Sequence, residues 1–409
     1  METMDATQPE TAPPRLPLAG IKVVDLSCFL AAPIASMFMA DFGADVIKVE
    51  RPDTGDEMRY WGNDKDGVGL YYKVINRNKR SVTIDMRTPF GVEAVKRLVK
   101  DADIVCENFR PGTLEKWGIG WEVLSALNPR LVMLRITGFG QTGPNSSRPG
   151  FGTLAEAYSG FAFTNGFPDR PPILPSFGLA DSTAGLMGAY LSMVALQGRA
   201  NNGGRGQYID LALYEPLFTL MGPHAVNFDQ LGIVQERTGS LHNFTSPRNC
   251  YRTRDGRYVA IAGAAQSTFE RMCDALEIPH VPKDPRFLNN RLRLVNVHAL
   301  DAVMAEAIAG LDYDEMLARF LKVDATVAPV NDISQIFADP HYQARENIVT
   351  VEDPELGGPV RFQNVVGKLS DTPGRVATAG PKLGGHNREV LIGQLGFTED
   401  EILAAGLKL

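Results

Sequence analysis

Two β-branched runs flank one helix-like stretch near the start of the chain, and that arrangement restricts the folds open to it. Ile21-Lys-Val-Val-Asp-Leu-Ser27 and Ala44-Asp-Val-Ile-Lys-Val-Glu50 read as short strands, and residues 32–42 between them read as a helix. Strand, helix and strand at this spacing make a βαβ unit, with parallel strands and a right-handed crossover. The pattern recurs. Residues 81–85, 103–108 and 131–137 read as strands and 89–100 as an amphipathic helix. After the turn cluster Gly203-Gly-Arg-Gly206, residues 207–213 form a further strand leading into a helical stretch at 214–229. The expected fold class is α/β, with an open parallel, Rossmann-like sheet in a large domain.

The 409 residues exceed one ordinary core. A loose Pro-, Thr- and Glu-rich arm is expected at 1–17, without the basic start and apolar stretch of a signal peptide. The first part of the large domain follows at 18–230 and a linker and lid loop at 231–250. A smaller α/β domain at 251–330 has a strand at 258–262 and helices near 267–276, 300–309 and 313–321. Residues 331–409, ending in a helix-like 387–394, return to the large domain.

Composition excludes several function classes. No apolar run approaches the ~18–20 residues of a membrane span, so no membrane partner is expected. A net charge of −7 argues against nucleic acid, which is met by basic fields. Cys28, Cys106, Cys250 and Cys273 form no CxxC pair, and the six histidines show no ligand spacing. Neither a disulfide framework nor a metal site is therefore expected, and a reducing cytoplasm fits.

Asp181 is the candidate for chemistry. A turn-rich approach, Ile173-Leu-Pro-Ser-Phe-Gly-Leu-Ala-Asp181, runs straight into a helical stretch rich in small residues, with Ala184, Gly185, Gly188 and Ala189 allowing a close neighbour. A carboxylate at a helix N-terminus serves as a cap or as a nucleophile, and composition leaves both open. Dinucleotide binding is disfavoured although Glu50 closes the second strand, because the first turn, Leu26-Ser-Cys-Phe-Leu-Ala31, lacks GxGxxG. No GxSxG supports a hydrolase serine.

Val23-Val-Asp-Leu with Ala31-Ala-Pro33, Phe42-Gly-Ala-Asp-Val-Ile-Lys-Val-Glu-Arg51-Pro, Asn78-Lys-Arg-Ser81, Glu107-Asn-Phe-Arg-Pro-Gly112, Gly178-Leu-Ala-Asp181, Gly204-Arg-Gly-Gln207 and Pro381-Lys-Leu-Gly-Gly-His386 occur in order along nearly the whole chain. Together they resemble the family III CoA-transferases, the group of formyl-CoA transferase and carnitine CoA-transferase. The resemblance implies an interlocked, ring-like homodimer, with a hetero-oligomer as the other possibility. It implies an acyl-CoA and a free carboxylic acid as substrates, coenzyme A entering as substrate, and no permanently bound cofactor. Asp181 would be the nucleophile, forming an aspartyl–acyl anhydride and then an aspartyl-CoA thioester.

By match to the family's CoA contacts, the resemblance assigns CoA binding to Phe29, Ala31, Arg51, Arg87, Asn108, Phe109 and Lys116. A solvated surface arginine is the competing reading of Arg51 and Arg87. Leu30 stands where formyl-CoA transferase has a glutamine near the acyl group. Gly239-Ser-Leu-His242-Asn243-Phe-Thr-Ser-Pro247 lies where the family has a mobile loop, and departs from the glycine run of formyl-CoA transferase. Arg248, His242 and Asn243 could take a second carboxylate, pointing to acids such as succinate or a substituted succinate, and loop polarity explains them equally. Arg110 belongs to the shared motif and does not discriminate. An α-methylacyl-CoA racemase is the rival enzyme, but Phe151 stands where racemases carry a proton-moving histidine. A silent CoA-binding subunit of a hetero-oligomer is the non-enzymatic alternative.

Overall fold

A computed structural model describes residues 15–409; the expected arm at 1–17 lies outside the described residues up to position 14. Six strands form one sheet: β1 (Lys22–Asp25), β2 (Asp45–Glu50), β3 (Lys79–Thr83), β4 (Ile104–Glu107), β5 (Val132–Thr137) and β6 (Tyr208–Ala212), in the order β3-β2-β1-β4-β5-β6. Every neighbouring pair is parallel, and Val23 stands level with Val46 on one side and Ile104 on the other. The sequence of strands reverses direction between β1 and β4. In open α/β sheets a crevice forms at such a switch point, beyond the strands' carboxyl ends.

Both faces of the sheet are covered, so its strands carry apolar residues on each side, with buried charges such as Lys48, Glu50 and Glu107 paired among them. On one face Val24, Ile47, Val82 and Val105 pack with α2 (Pro89–Lys100), which starts at a proline and is capped by Thr88 Oγ1 accepting from the Gly91 N–H at 3.0 Å. On the other, Val23, Val46, Ile104 and Leu134 pack with α1 (Ala31–Asp41) and α4 (Leu179–Arg199). A short α3 (Gly152–Tyr158) precedes α4. A Cβ on Gly185 would lie 2.6 Å from Ile34 Cγ2 and 2.8 Å from the Ala31 carbonyl, so this small-residue helix lets α1 approach closely.

Three sequence expectations are corrected. Strand β3 begins at Lys79, two residues earlier than expected, and its two leading charges are paired: Lys79 with Asp25 at 3.0 Å and Arg80 with Asp45 at 2.7 Å. The helix expected at 214–229 is two, Tyr214–Leu220 and His224–Leu231, separated at Gly222-Pro223 where Gly222 has a φ of +70°. The stretch Leu179–Asn202, 24 residues long, is apolar and long enough to cross a membrane by length and composition. In the structure its small residues pack on α1 and β5.

Contacts divide the chain into two compact units. The first holds the described residues up to Phe161, then Pro175–Pro223 and Gln343–Leu409. Its last segment borders the edge strand β3: His386 Nδ1 accepts from the Ser81 N–H at 3.1 Å, and Asn387 Oδ1 from the Thr83 N–H at 2.8 Å. The second unit holds Ala162–Leu174 and His224–Tyr342. Its antiparallel sheet, β7 (Arg248–Arg252), β8 (Tyr258–Ala262) and β9 (Val327–Pro329), is covered by α5 (Gln266–Ala275), α6 (Val297–Ala309) and α7 (Tyr313–Lys322), through Phe269, Leu300, Met304 and Phe320.

Candidate active site

The loop after β1 forms the floor of the crevice, and buried charge holds it. Phe29 has a φ of +60°, a left-handed conformation that is rare for a bulky side chain. Asp56 Oδ1 accepts from the Phe29 N–H at 3.1 Å and from the Met58 N–H at 2.9 Å. Its other oxygen lies 2.9 Å from Lys48 Nζ, which also donates to the Ser27 carbonyl. Asp25 pairs with Lys79 and accepts from Ser36 Oγ at 2.6 Å. Burial would raise the Asp25 carboxyl, but Lys48 and Lys79 hold it well below the usual carboxylate range. Each of these charges is enclosed, and stranding one costs several kcal/mol. Glu50 is similarly committed: Arg59 clasps both its oxygens at 2.8 Å and Ser81 Oγ donates at 2.6 Å. It has no free edge for a ribose.

Three cavities line up along this floor. One of about 300 Å³ is lined by Arg51, Arg87, Met86, Cys28, Phe109 and Trp117. The next, about 220 Å³, shares Cys28 and Phe109 with it and adds Phe29, Ala31, Asn108, Arg110, Phe151 and Asp181. The third, about 900 Å³, shares Phe29, Phe151 and Asp181 with the second and adds Leu30, Trp61, Tyr71 and Phe177. Asp181 therefore borders both the second and the third.

Within this series the expected CoA residues differ in what they offer. Arg51 pairs with Glu57, and Arg87 reaches both oxygens of Asp85 at 2.9 Å; both arginines keep about half or more of their side chains exposed. Ala31 is the buried first residue of α1, and Leu30 is its buried N-cap. The Asn108 amide is committed to the floor, accepting from the Cys28 N–H at 2.9 Å and donating to its carbonyl at 2.6 Å. Phe109 packs edge-on against Trp117 with ring centroids 5.1 Å apart. Lys116 is exposed at the end of the short helix Thr113–Lys116 and lines none of the three cavities.

Asp181 is the third residue of α4 and does not cap it. The helix starts at Leu179, two residues ahead of Asp181, and the N-cap position is Gly178, which has no side chain to offer. Glu156 on α3 supplies the acceptor: its Oε1 lies 3.3 Å from the Ala180 nitrogen. Burial first, and the Glu156 charge second, push the Asp181 carboxyl up to about 6, while its own backbone N–H partly opposes them. Gly152 leaves room for it, since a Cβ there would lie 2.0 Å from Asp181 Oδ2. Sequence reasoning missed Glu156, Gly152 and Asp56. A glycine directly after Phe151 was the one local signal; the carboxylates act across distant segments.

The residues expected in the lid belong to the second unit. Gly239 has a φ of +63° and donates its N–H to the Gly166 carbonyl at 2.8 Å. His242 Nδ1 accepts from the Phe244 N–H at 3.2 Å, Asn243 Nδ2 donates to Gln235 Oε1 at 2.5 Å, and Arg248 donates to the Ser240 carbonyl at 2.8 Å.

Comparison with known proteins identifies the family. The sequence profile described as CoA-transferase family III matches residues 18–387. The chain is 43% identical over 391 residues to a succinyl-CoA–D-citramalate CoA-transferase of Chloroflexus aurantiacus, covering 95% of this chain and 96% of that one. It is 42% identical over 390 residues to the beta subunit of a succinyl-CoA–L-malate CoA-transferase of the same organism, covering 95% and 96%. A crystal structure of a CAIB/BAIF family protein from Brucella suis superposes with a TM-score of 0.83 at 36% identity, covering 93% of this chain and 100% of that one.

Proposed function

Because the chain belongs to CoA-transferase family III and is thus an enzyme of CoA transfer, we propose that Asp181 is its covalent relay between an acyl-CoA donor and a free carboxylic acid. The Asp181 carboxylate attacks the thioester carbonyl and the C–S bond breaks, leaving a mixed anhydride and CoA thiolate. The thiolate attacks the Asp181 acyl carbon, the donor acid leaves as its carboxylate, and an aspartyl-CoA thioester remains. The acceptor carboxylate then displaces the thiolate to form a second anhydride. Thiolate attack on the acceptor's carbonyl releases the new acyl-CoA and restores Asp181. Every step exchanges one acyl bond for another, so the thioester's free energy is conserved.

One observation carries this reading: a carboxylate with a pKa near 6 sits where two cavities meet, with a neighbouring carboxylate taking the cap. It is ionised at neutral pH, needs no general base, and its partial desolvation makes it more basic and a better nucleophile than a solvated aspartate. Arg51 and Arg87 are proposed to meet the CoA phosphates and Phe29 and Phe109 to flank the arm that reaches Asp181. Ala31 and Asn108 shape that path, and Lys116 adds charge at its rim. Leu30 and Phe151 border the acyl group, and Gly239, His242, Asn243 and Arg248 serve as lid residues. The relatives' names favour succinyl-CoA as donor. The assembly is proposed to be a homodimer, with a second, non-identical subunit as the alternative because one relative is named as a beta subunit. The four free thiols favour a reducing cytoplasm.

Hydroxylamine added during turnover with succinyl-CoA tests the mechanism. Mass spectrometry should place a hydroxamate on the peptide containing Asp181, and borohydride should reduce the thioester at the same residue. Turnover without either mark sinks the covalent reading.

A further inference from the structure

The acyl group held on Asp181 has two directions to extend. One is the channel that shares Cys28 and Phe109 with the Arg51 and Arg87 cavity, which the CoA arm takes under the reading above. The other is the chamber of about 900 Å³ beyond Phe29 and Phe151. Its volume is at the upper end of the ~300–1,000 Å³ that ligand pockets occupy, far more than a four-carbon dicarboxylate fills. Its walls are aromatic and aliphatic: Leu30, Trp61, Tyr71, Phe151, Leu154 and Phe177. Among the described residues no lysine, arginine or histidine lines it; its ionisable groups are the carboxylates of Asp181 and Glu156 and the Tyr71 phenol. A second carboxylate taken inside would meet two like charges and no cation from the chamber's own lining, which disfavours it.

The same walls leave apolar surface without cover. Trp61 is 54% exposed, Phe151 58% and Phe177 61%, and the Phe29 ring stands edge-on to both Trp61 and Phe151 at 5.9 Å between centroids. Aromatic surface gathered around a reacting carboxylate gains most from an apolar body attached to the carboxyl group that reacts there.

We propose that this chamber selects the acceptor, and that the acceptor is a carboxylic acid with a bulky apolar body, aryl or branched alkyl, rather than a small hydroxy-dicarboxylic acid. The inference rests on Asp181 being the point of acyl attachment. A short acyl group such as succinyl reaches only the junction, where Arg110 and Arg148 line the channel side, and gains nothing from the chamber. A longer apolar body fills the interior. Discrimination follows from the size of that body, since each methylene matched to an apolar pocket is worth ~10–200-fold.

Two measurements on the full chain test this apart from the mechanism. Calorimetry of free acids with the wild-type protein should show 3-phenylpropanoate and 4-methylpentanoate binding at least ~10-fold tighter than malate. With succinyl-CoA as donor, kcat/KM should follow the same order. Thr153→Trp, which narrows the chamber from one exposed wall position, should weaken phenylpropanoate binding at least ~10-fold relative to malate. If hydroxylamine marks nothing while the apolar preference in binding remains, the covalent mechanism fails and the chamber's selectivity stands. Equal or tighter binding of malate overturns the inference. So does an unchanged preference in Thr153→Trp, the result expected if a second copy of the chain fills the chamber.

Discussion

Glu156 and Asp181 divide one helix start between them. Glu156 Oε1 approaches the Ala180 nitrogen at 3.3 Å, while Asp181, one residue further on, points its carboxylate to the cavity junction. The acceptor that the helix end requires thus comes from another helix, and the local carboxylate is left free. The charge on Glu156 also helps hold the Asp181 proton to a higher pH.

Glu156→Gln keeps an oxygen that can accept from the helix end but removes the charge. The Asp181 carboxyl should then ionise at lower pH, because burial remains and the like charge does not. The acidic limb of the kcat/KM profile, expected near pH 6 in the wild type, should move down, with a higher rate at pH 5. An unmoved limb would mean that Glu156 does not act on Asp181.

Asp181→Asn should separate fold from function. An amide is a poor nucleophile, so transfer should fall by several orders of magnitude. Stability should move the other way. The folded carboxyl binds its proton more tightly than an unfolded aspartate, so the wild type carries no cost below about pH 3.8 and the full cost above about pH 6. The variant should gain up to ~1–3 kcal/mol at pH 7.5 and almost nothing at pH 4. Thermal melts at the two pH values measure this, and a loss of stability at pH 7.5 would restore the capping role.

Gly152→Ala adds a single methyl group that would stand 2.0 Å from Asp181 Oδ2. The backbone there begins α3 and accepts alanine, so the fold should hold while the nucleophile is pushed aside. Turnover should fall ~100-fold or more with little change in melting temperature. Near-normal turnover would show that the carboxylate works from a different position.

Arg51→Ala and Arg87→Ala should each raise the KM for acyl-CoA ~10-fold while kcat stays within ~2-fold, the signature of a contact made equally in ground and transition states. A fall in kcat at constant KM would place the arginines in the chemistry. The α-proton of a 2-methylacyl-CoA should not exchange in heavy water, because Phe151 carries no proton to the junction. Exchange at a rate comparable with CoA transfer would favour racemisation.

The parallel sheet was legible because short β-branched runs such as Val23-Val24 and Val46-Ile47, with Val49, alternate with a helix-like stretch. β3 was misplaced by two residues because two adjacent charges give no strand signal until Asp25 and Asp45 are beside Lys79 and Arg80. The same limit applied at the site. Asp181 stood out through its motif, but the contact of Glu156 with Ala180 beside it spans 24 residues and that of Asp56 with Phe29 spans 27. Neither leaves a periodic trace. The long apolar run of α4 was overlooked because its hydropathy is spread among alanines and glycines selected for packing against α1.

The enclosed charges beneath Phe29 also bear on how this loop can change over evolutionary time. Asp25, Lys48, Asp56 and Lys79 come from four separate segments and form ion pairs with one another. A substitution at one position strands its partners, so single steps away from the present loop are strongly disfavoured even when the double or triple change would be tolerated. Variation among descendants of this chain should therefore accumulate at apolar wall positions of the chamber such as Leu154 and Phe177, and arrive at the floor only in concerted sets.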